Sequence, residues 1–156
     1  NFIIGHNGSG KSAILTAITV TLGGKAQTTS RGSSLKDFIL EGAQAAEVRV
    51  RLRNGGSDAY RPDLYGDAIN IERRIHSDGS GSWKIKNADG KTISTKREEL
   101  DAICDHANIQ VDNPMNILSQ DAARQFLGSS QPEDKYSFFL RGTQLTQLAQ
   151  EYELIQ

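Results

Sequence analysis

Gly5-His6-Asn7-Gly8-Ser9-Gly10-Lys11-Ser12, the stretch GHNGSGKS, decides how the rest of the chain is read. It satisfies the pattern G-x-x-x-x-G-K-[ST], in which glycines let the backbone wrap an anion with its N–H groups where a Cβ would obstruct. In such a loop Lys11 places a point charge on the β and γ phosphates, and the Ser12 hydroxyl binds Mg²⁺. The helix that follows aims its positive end at the same phosphates. The flanks agree with that reading. Phe2-Ile3-Ile4 is an apolar run predicted as a buried parallel strand, and Ile14, Leu15, Ile18 and Leu22 form one helical stripe that Gly23-Gly24 ends. Thr16, Ile18, Thr19, Val20 and Thr21 are β-branched, so packing rather than propensity must hold this helix.

Working outward, 156 residues are the length of one domain and suffice for a real core. A formal net charge of -1 with 37% hydrophobic residues excludes a disordered chain and a uniformly basic nucleic-acid binder. Any contact with DNA must therefore come from a local patch. The single Cys104 excludes an internal disulfide, and no apolar run approaches the ~20 residues of a membrane span. His6, His76 and His106 lack Cys or carboxylate partners at ligand spacing, so no zinc site is expected. The chain starts at Asn1 and enters a strand at once, which reads as a fragment whose preceding strands lie elsewhere.

After the glycine pair, a polar loop from Lys25 to Ser34 carries Arg31, and Leu35 to Leu40 is predicted as a short helix closed by Gly42. Glu47 to Arg53 alternates strictly, with Val48, Val50 and Leu52 on one face and Arg49, Arg51 and Arg53 on the other. Ile69 to Ile75 and Ser82 to Lys86 are further strands joined through HSDGSGS, and Asp89-Gly90 marks another hairpin turn; together they predict an antiparallel sheet. Lys96 to His106 is an amphipathic helix with Leu100, Ile103 and Cys104 inward, VDNPMNILSQD is strand and loop, and Ala122 to Leu127 is helical. Pro132-Glu133-Asp134 has the composition of a helix first turn. Leu145, Leu148, Tyr152 and Ile155 are spaced as a coiled-coil seam, with Phe138 one heptad upstream.

Hydrolysis by such a loop needs an acidic residue at the end of a second buried strand to hold Mg²⁺. Phe38-Ile39-Leu40-Glu41 is short and fits a helix ending, and NIQVD contains Gln110, so neither supplies it. No Ser-Gly-Gly signature follows the loop. The chain is expected to bind nucleotide better than it hydrolyses it.

The segments NFIIGHNGSGKSAILTAITVTLGGKA, SRGSSLKDFILEGA and VDNPMNILSQDAARQFL, ending in DKYSFFLRGTQL, resemble the N-terminal half of the ATPase head of structural maintenance of chromosomes (SMC) proteins, and the resemblance covers essentially the whole chain. It implies an α/β fold: the N-terminal lobe of a P-loop NTPase of the ABC type, with a mixed or antiparallel sheet and helices. Residues 1–137 would be the lobe and 138–156 the start of a coiled-coil neck. The missing acidic strand and signature motif would lie in a C-terminal lobe of the same protein. The implied cofactors are ATP and Mg²⁺, held by Gly5, His6, Asn7, Gly8, Ser9, Gly10, Lys11, Ser12 and Ala13, with Ser12 and Gln120 on the metal. Gln120 matches a glutamine loop that senses the γ-phosphate, an amide oxygen being suited to a hard cation. Arg31 resembles an arginine loop that approaches nucleotide.

As partners the resemblance implies the C-terminal lobe, a second SMC protein as heterodimer partner, a kleisin subunit at the neck, and double-stranded DNA, with the nucleus and chromosome as location. Arg49, Arg51, Arg53, Arg73, Arg74, Lys84 and Lys86 are the candidate phosphate contacts, a solvated sheet face being the alternative. Adenine contacts have no candidate, Tyr60 and Tyr65 reading as loop or core residues. A self-contained small-molecule kinase, a zinc-hook repair ATPase head and a non-enzymatic nucleotide-binding scaffold are the competing readings.

Overall fold

The computed structural model describes residues 1–29, 32–113, 115–128, 131–145, 148–149 and 152–153, with side chains for all of these but Thr28, Gln125 and Arg141. Arg31 and Ile155 lie outside the described residues. The chain forms two compact units, Asn1–Ile109 and Gln110–Gln156.

In the first unit a four-stranded sheet runs in the order β1-β2-β3-β4, with β1 at Ala45–Arg53, β2 at Ala68–His76, β3 at Gly81–Lys86 and β4 at Thr92–Ser94. Every pairing is antiparallel. The alternation predicted for β1 holds, because Val50 pairs with Ile71 and Ile71 with Ile85, stacking apolar side chains across one face. Ile71, Ile75 and Ile85 are fully buried there. The β2–β3 turn forms where expected, with Gly79 at φ 87 and the Asp78 carboxylate accepting from the Ser80 amide at 2.8 Å. Gly90, at φ 85, turns the chain from β3 into β4, and Asn87 closes that turn by accepting the Lys91 amide at 2.9 Å.

Helices α1 (Lys11–Thr21) and α3 (Arg97–His106) cover the inner face; α2 is a single turn at Pro62–Tyr65. α3 presents Leu100, Ile103 and Cys104 inward as its periodicity predicts. Burial pushes the Cys104 thiol up to about 11, so it stays protonated and inert near neutrality. Leu35–Phe38 is 3-10 rather than α, capped by a reciprocal Ser34–Asp37 box, and Gly42 turns beyond it at φ 83.

Two expectations at the N-terminal end change. Phe2-Ile3-Ile4 is not a strand: no described strand pairs with it, and Phe2 is 96% exposed, since an apolar run becomes a strand only against neighbours that satisfy its backbone. Of the stripe predicted along α1, Leu22 is buried as expected, but Ile14, Leu15 and Ile18 remain exposed, and Thr19, Val20 and Thr21 are buried instead. Burial of the threonines is possible because their hydroxyls donate back to Leu15 O at 2.9 Å and Ala17 O at 2.7 Å.

A loop from Asn54 to Gly66 is fastened to α3 through Glu99. Its carboxylate accepts from Tyr65 Oη at 2.8 Å and Tyr60 Oη at 3.2 Å and pairs with Arg61 at 3.2 Å. Tyr65 is fully buried, and burial followed by the Glu99 hydrogen bond drives its phenol far above the ordinary range. Glu99→Ala leaves that hydroxyl without its acceptor, and the expected cost is about 1–3 kcal/mol of stability in denaturant unfolding. An unchanged midpoint would show that the strut carries no load.

In the second unit α4 (Gln120–Gly128) and α5 (Pro132–Gly142) meet through Phe126 and Phe138, ring centroids 4.6 Å apart. VDNPMNILSQD contains no strand among its described residues; Asn113 organises it, donating to Gly142 O at 3.0 Å and accepting from the Met115 amide at 2.9 Å. α5 stops at Gly142, and Gln144 takes φ 57 before the helical residue Leu145, so Phe138 and Leu145 do not share one uninterrupted helix.

Candidate nucleotide site

Gly5 to Gly10 form a compact loop that runs directly into the first turn of α1, Lys11 to Ala13. Gly10 is its N-cap in the left-handed region at φ 88, and Gly8 turns the chain at φ 84, conformations that favour glycine. A Cβ on Gly5 would come 2.5 Å from Ser9 Oγ, so a side chain there would displace the serine hydroxyl. Lys11 Nζ donates to Gly5 O at 2.6 Å and His6 O at 2.7 Å, bracing the loop from within.

The backbone hydrogen bonds inside the loop use the amides of Ser9, Ala13 and Ile14. Those of Gly8, Gly10, Lys11 and Ser12 have no partner among the described residues, and α1 has neither a side-chain cap nor an acidic residue in its first turn. Unpaired amides, a helix N-terminus and a lysine thus lie together on one exposed loop. This fits the triphosphate of a nucleotide, and the exposed Ser12 hydroxyl fits a hard cation. Among the described residues no cluster of three His, Cys, Asp or Glu forms an independent metal site. Phe38 ends the 3-10 turn and Ile39-Leu40-Glu41 continue from it without forming a strand, with Leu40 81% exposed.

Gln120 opens α4 in the second unit, exposed, behind Ser119, whose Oγ accepts from the Ala122 amide at 3.2 Å. It stands where a helix begins and its side chain is not committed to the core.

The basic strand residues divide. The outer face carries Glu47, Arg49, Arg51 and Arg53 on β1, Glu72 and Arg74 on β2, and Lys84 and Lys86 on β3, with Arg49, Glu72 and Lys84 in one row. Six cations face two carboxylates there. Glu72 takes Lys86 at 2.7 Å and Arg49 at 3.3 Å, and the Arg49 hydrogen bond holds the Glu47 carboxyl below its usual range. Arg51, Arg53, Arg74 and Lys84 have no ion pair among the described residues.

Arg73 belongs to the other face, a correction to its grouping with its neighbour. Successive residues of a strand point opposite ways, and Arg73 is 5% exposed against the inner side of the sheet. Its guanidinium lies 3.4 Å from the Trp83 ring centroid, with Nε and Nη1 buried and unpartnered. Burial, and then Arg97, lowers its pKa.

Sequence reasoning missed two further constellations: the Glu99 strut, which joins distant segments and leaves no local signal, and the side chains that hold the far end of α1. The period of two in β2 was available and already separated Arg73 from Arg74.

The AAA domain family matches residues 1–156. The chain is 53% identical over 156 residues to structural maintenance of chromosomes protein 6 of Schizosaccharomyces pombe, covering 100% of this chain and 14% of that protein. Against structural maintenance of chromosomes protein 6 of Homo sapiens it is 52% identical over 155 residues, covering 99% of this chain and 14% of the relative. This chain therefore spans about a seventh of the length of these relatives. Among solved structures it matches one from work on ATP-driven dimerization and DNA-stimulated activation of SMC ATPases, with a TM-score of 0.73 at 28% identity, covering 90% of this chain and 82% of that one. A second match is the Pyrococcus furiosus Smc head domain with an extended coiled coil, bound to the C-terminal domain of ScpA, with a TM-score of 0.63 at 31% identity, covering 80% of this chain and 31% of that one. The chain belongs to the AAA domain family and, within it, to the ATPase heads of SMC proteins, of which it is the N-terminal half.

Proposed function

We propose that this chain is the ATP-binding half of an SMC head that, joined to its C-terminal lobe, engages a partner head through a sandwiched MgATP and couples hydrolysis to entrapment or extrusion of DNA. The observation that carries the reading is the Gly5–Gly10 loop and the first turn of α1, where unpaired amides and a lysine lie together on an exposed helix N-terminus. Lys11 would exchange the carbonyls of Gly5 and His6 for phosphate oxygens, and the amides of Gly8, Gly10, Lys11 and Ser12 would take the remaining phosphate lone pairs. Ser12 would offer an oxygen ligand to Mg²⁺, and the resemblance to SMC heads assigns Gln120 to the same ion and Arg31 to the nucleotide. MgATP in this place supplies a γ-phosphate that both heads contact, which shifts the population toward the engaged state.

The likeness to protein 6 relatives supports protein 5 of the SMC family as the heterodimer partner, a nuclear and chromosomal location, and a role in DNA repair and chromosome maintenance. The ScpA-bound relative supports a kleisin subunit at the neck, whose start we place at residues 138–156. Duplex DNA is assigned to the outer sheet face through Arg49, Arg51, Arg53, Arg74, Lys84 and Lys86, as sequence-independent phosphate contacts. Titration of a fluorescent ATP analogue into the head tests the nucleotide reading: saturable, Mg²⁺-dependent binding is expected, and its absence would refute it.

A further inference from the structure

We propose that Trp83 and Arg97 are positioning residues for the phosphate loop, acting through the carbonyl end of α1; the inference rests on the nucleotide reading above and adds to it. α1 is 11 residues long, a rod of about 16 Å with the loop at one end. Its loop-proximal half has little to hold it, Ile14 being 45% and Leu15 40% exposed. The other end is buried and fastened. Trp83 Nε1 donates to Thr21 O at 3.0 Å, Arg97 Nη2 to Gly23 O at 3.1 Å, and Cys104 Sγ lies 3.8 Å from Leu22 O. Three consecutive carbonyls of the helix ending are thus met by side chains from β3 and α3.

The ending itself is fixed. Gly24 N donates to Thr19 O at 2.9 Å and Gly23 N to Val20 O at 3.3 Å, the paired bonds of a Schellman turn with Gly23 at φ 98. A Cβ on Gly23 would lie 3.4 Å from Arg97 Nη2, so α3 sits directly against the turn. The indole is itself in contact with two cations, Arg73 3.4 Å and Arg97 5.5 Å from its centroid. That stack also accounts for Arg73: with Nε and Nη1 unpartnered, the indole face is the contact that offsets its burial.

A rod anchored at one end turns small rotations there into displacements at the other. A tilt of about 4° at Thr21 moves the loop by roughly 1 Å over this length. A misplacement of that size costs about 10²-fold where reacting groups must align, and less for binding alone.

The test uses the complete head, with the C-terminal lobe and partner head present, carrying Trp83→Phe, Arg97→Ala or both. Trp83→Phe keeps the ring and removes the indole N–H; Arg97→Ala removes the second bond at a half-exposed site, so at least one variant folds. Affinity for a fluorescent ATP analogue is measured well below the unfolding midpoint, with KM, kcat and the midpoint alongside. We expect weaker binding in each single variant and about a tenfold loss in the double, with partial recovery in Arg97→Lys. Ile85→Val, a buried neighbour on β3, should lower the midpoint without changing affinity, separating positioning from general destabilisation. A double variant within twofold of the parent overturns the inference. Lys11→Ala distinguishes the underlying reading: parent-like affinity there would mean that the loop does not hold the nucleotide at all.

Discussion

Lys11→Ala lowers MgATP turnover by the assembled head by about 10²–10³-fold, the range found when one preorganised donor is removed from developing charge. Two effects combine. The ammonium is the one fixed cation in the loop, and its bonds to Gly5 O and His6 O at 2.6 and 2.7 Å brace the loop's shape before any anion arrives. Removing it deletes the charge and releases two carbonyls that then point into the phosphate site. Lys11→Arg should not rescue, because a planar guanidinium cannot replace a compact point charge inside so small a loop. Steady-state kinetics with a binding isotherm separate the contributions; turnover within a few fold of the parent would exclude the loop as the catalytic phosphate site.

Reversing Arg49 and Arg51 to Glu lowers the duplex affinity of the assembled complex on the order of 10²-fold and reduces the slope of log affinity against log salt by about 2. The pair is chosen from the register: both lie on the exposed face of β1, in the rows that continue through Glu72 to Lys84 and through Asn70 to Lys86. Reversal turns a face with excess positive charge into a nearly neutral one without touching the core. Arg73→Met, which alters a cation buried on the opposite face, should leave the salt slope unchanged. Equal affinity of parent and reversed protein at low salt would remove DNA from this face.

What the sequence made legible is what periodicity controls. β1, β2, β3 and α3 were readable because each has one apolar face at a fixed period, and the turns at Asp78-Gly79 and Asp89-Gly90 carry their own chemistry. The phosphate loop was readable because its geometry demands glycine at named positions. What stayed hidden depends on partners distant in sequence. The run Phe2-Ile3-Ile4 is apolar enough for a strand but has no described strand beside it, and α1 buries threonines over isoleucines because self-bonded hydroxyls cost little inside. The heptad from Phe138 to Leu145 is correct in spacing, yet Gln144 at φ 57 interrupts the helix between them, and Phe138 packs on Phe126. Trp83 and Arg97 reach α1 across 62 and 74 residues of sequence, separations at which no local pattern speaks.

The central claim is that this chain holds half of a split catalytic site. Steady-state ATP hydrolysis is therefore measured on this chain alone, then with the C-terminal lobe, then with the partner head added. The account predicts nucleotide binding without turnover by the chain alone, and turnover on full assembly that disappears with Lys11→Ala or Gln120→Ala. Full turnover by the chain alone would contradict it, since an acidic residue completing the site would then have to lie within these 156 residues.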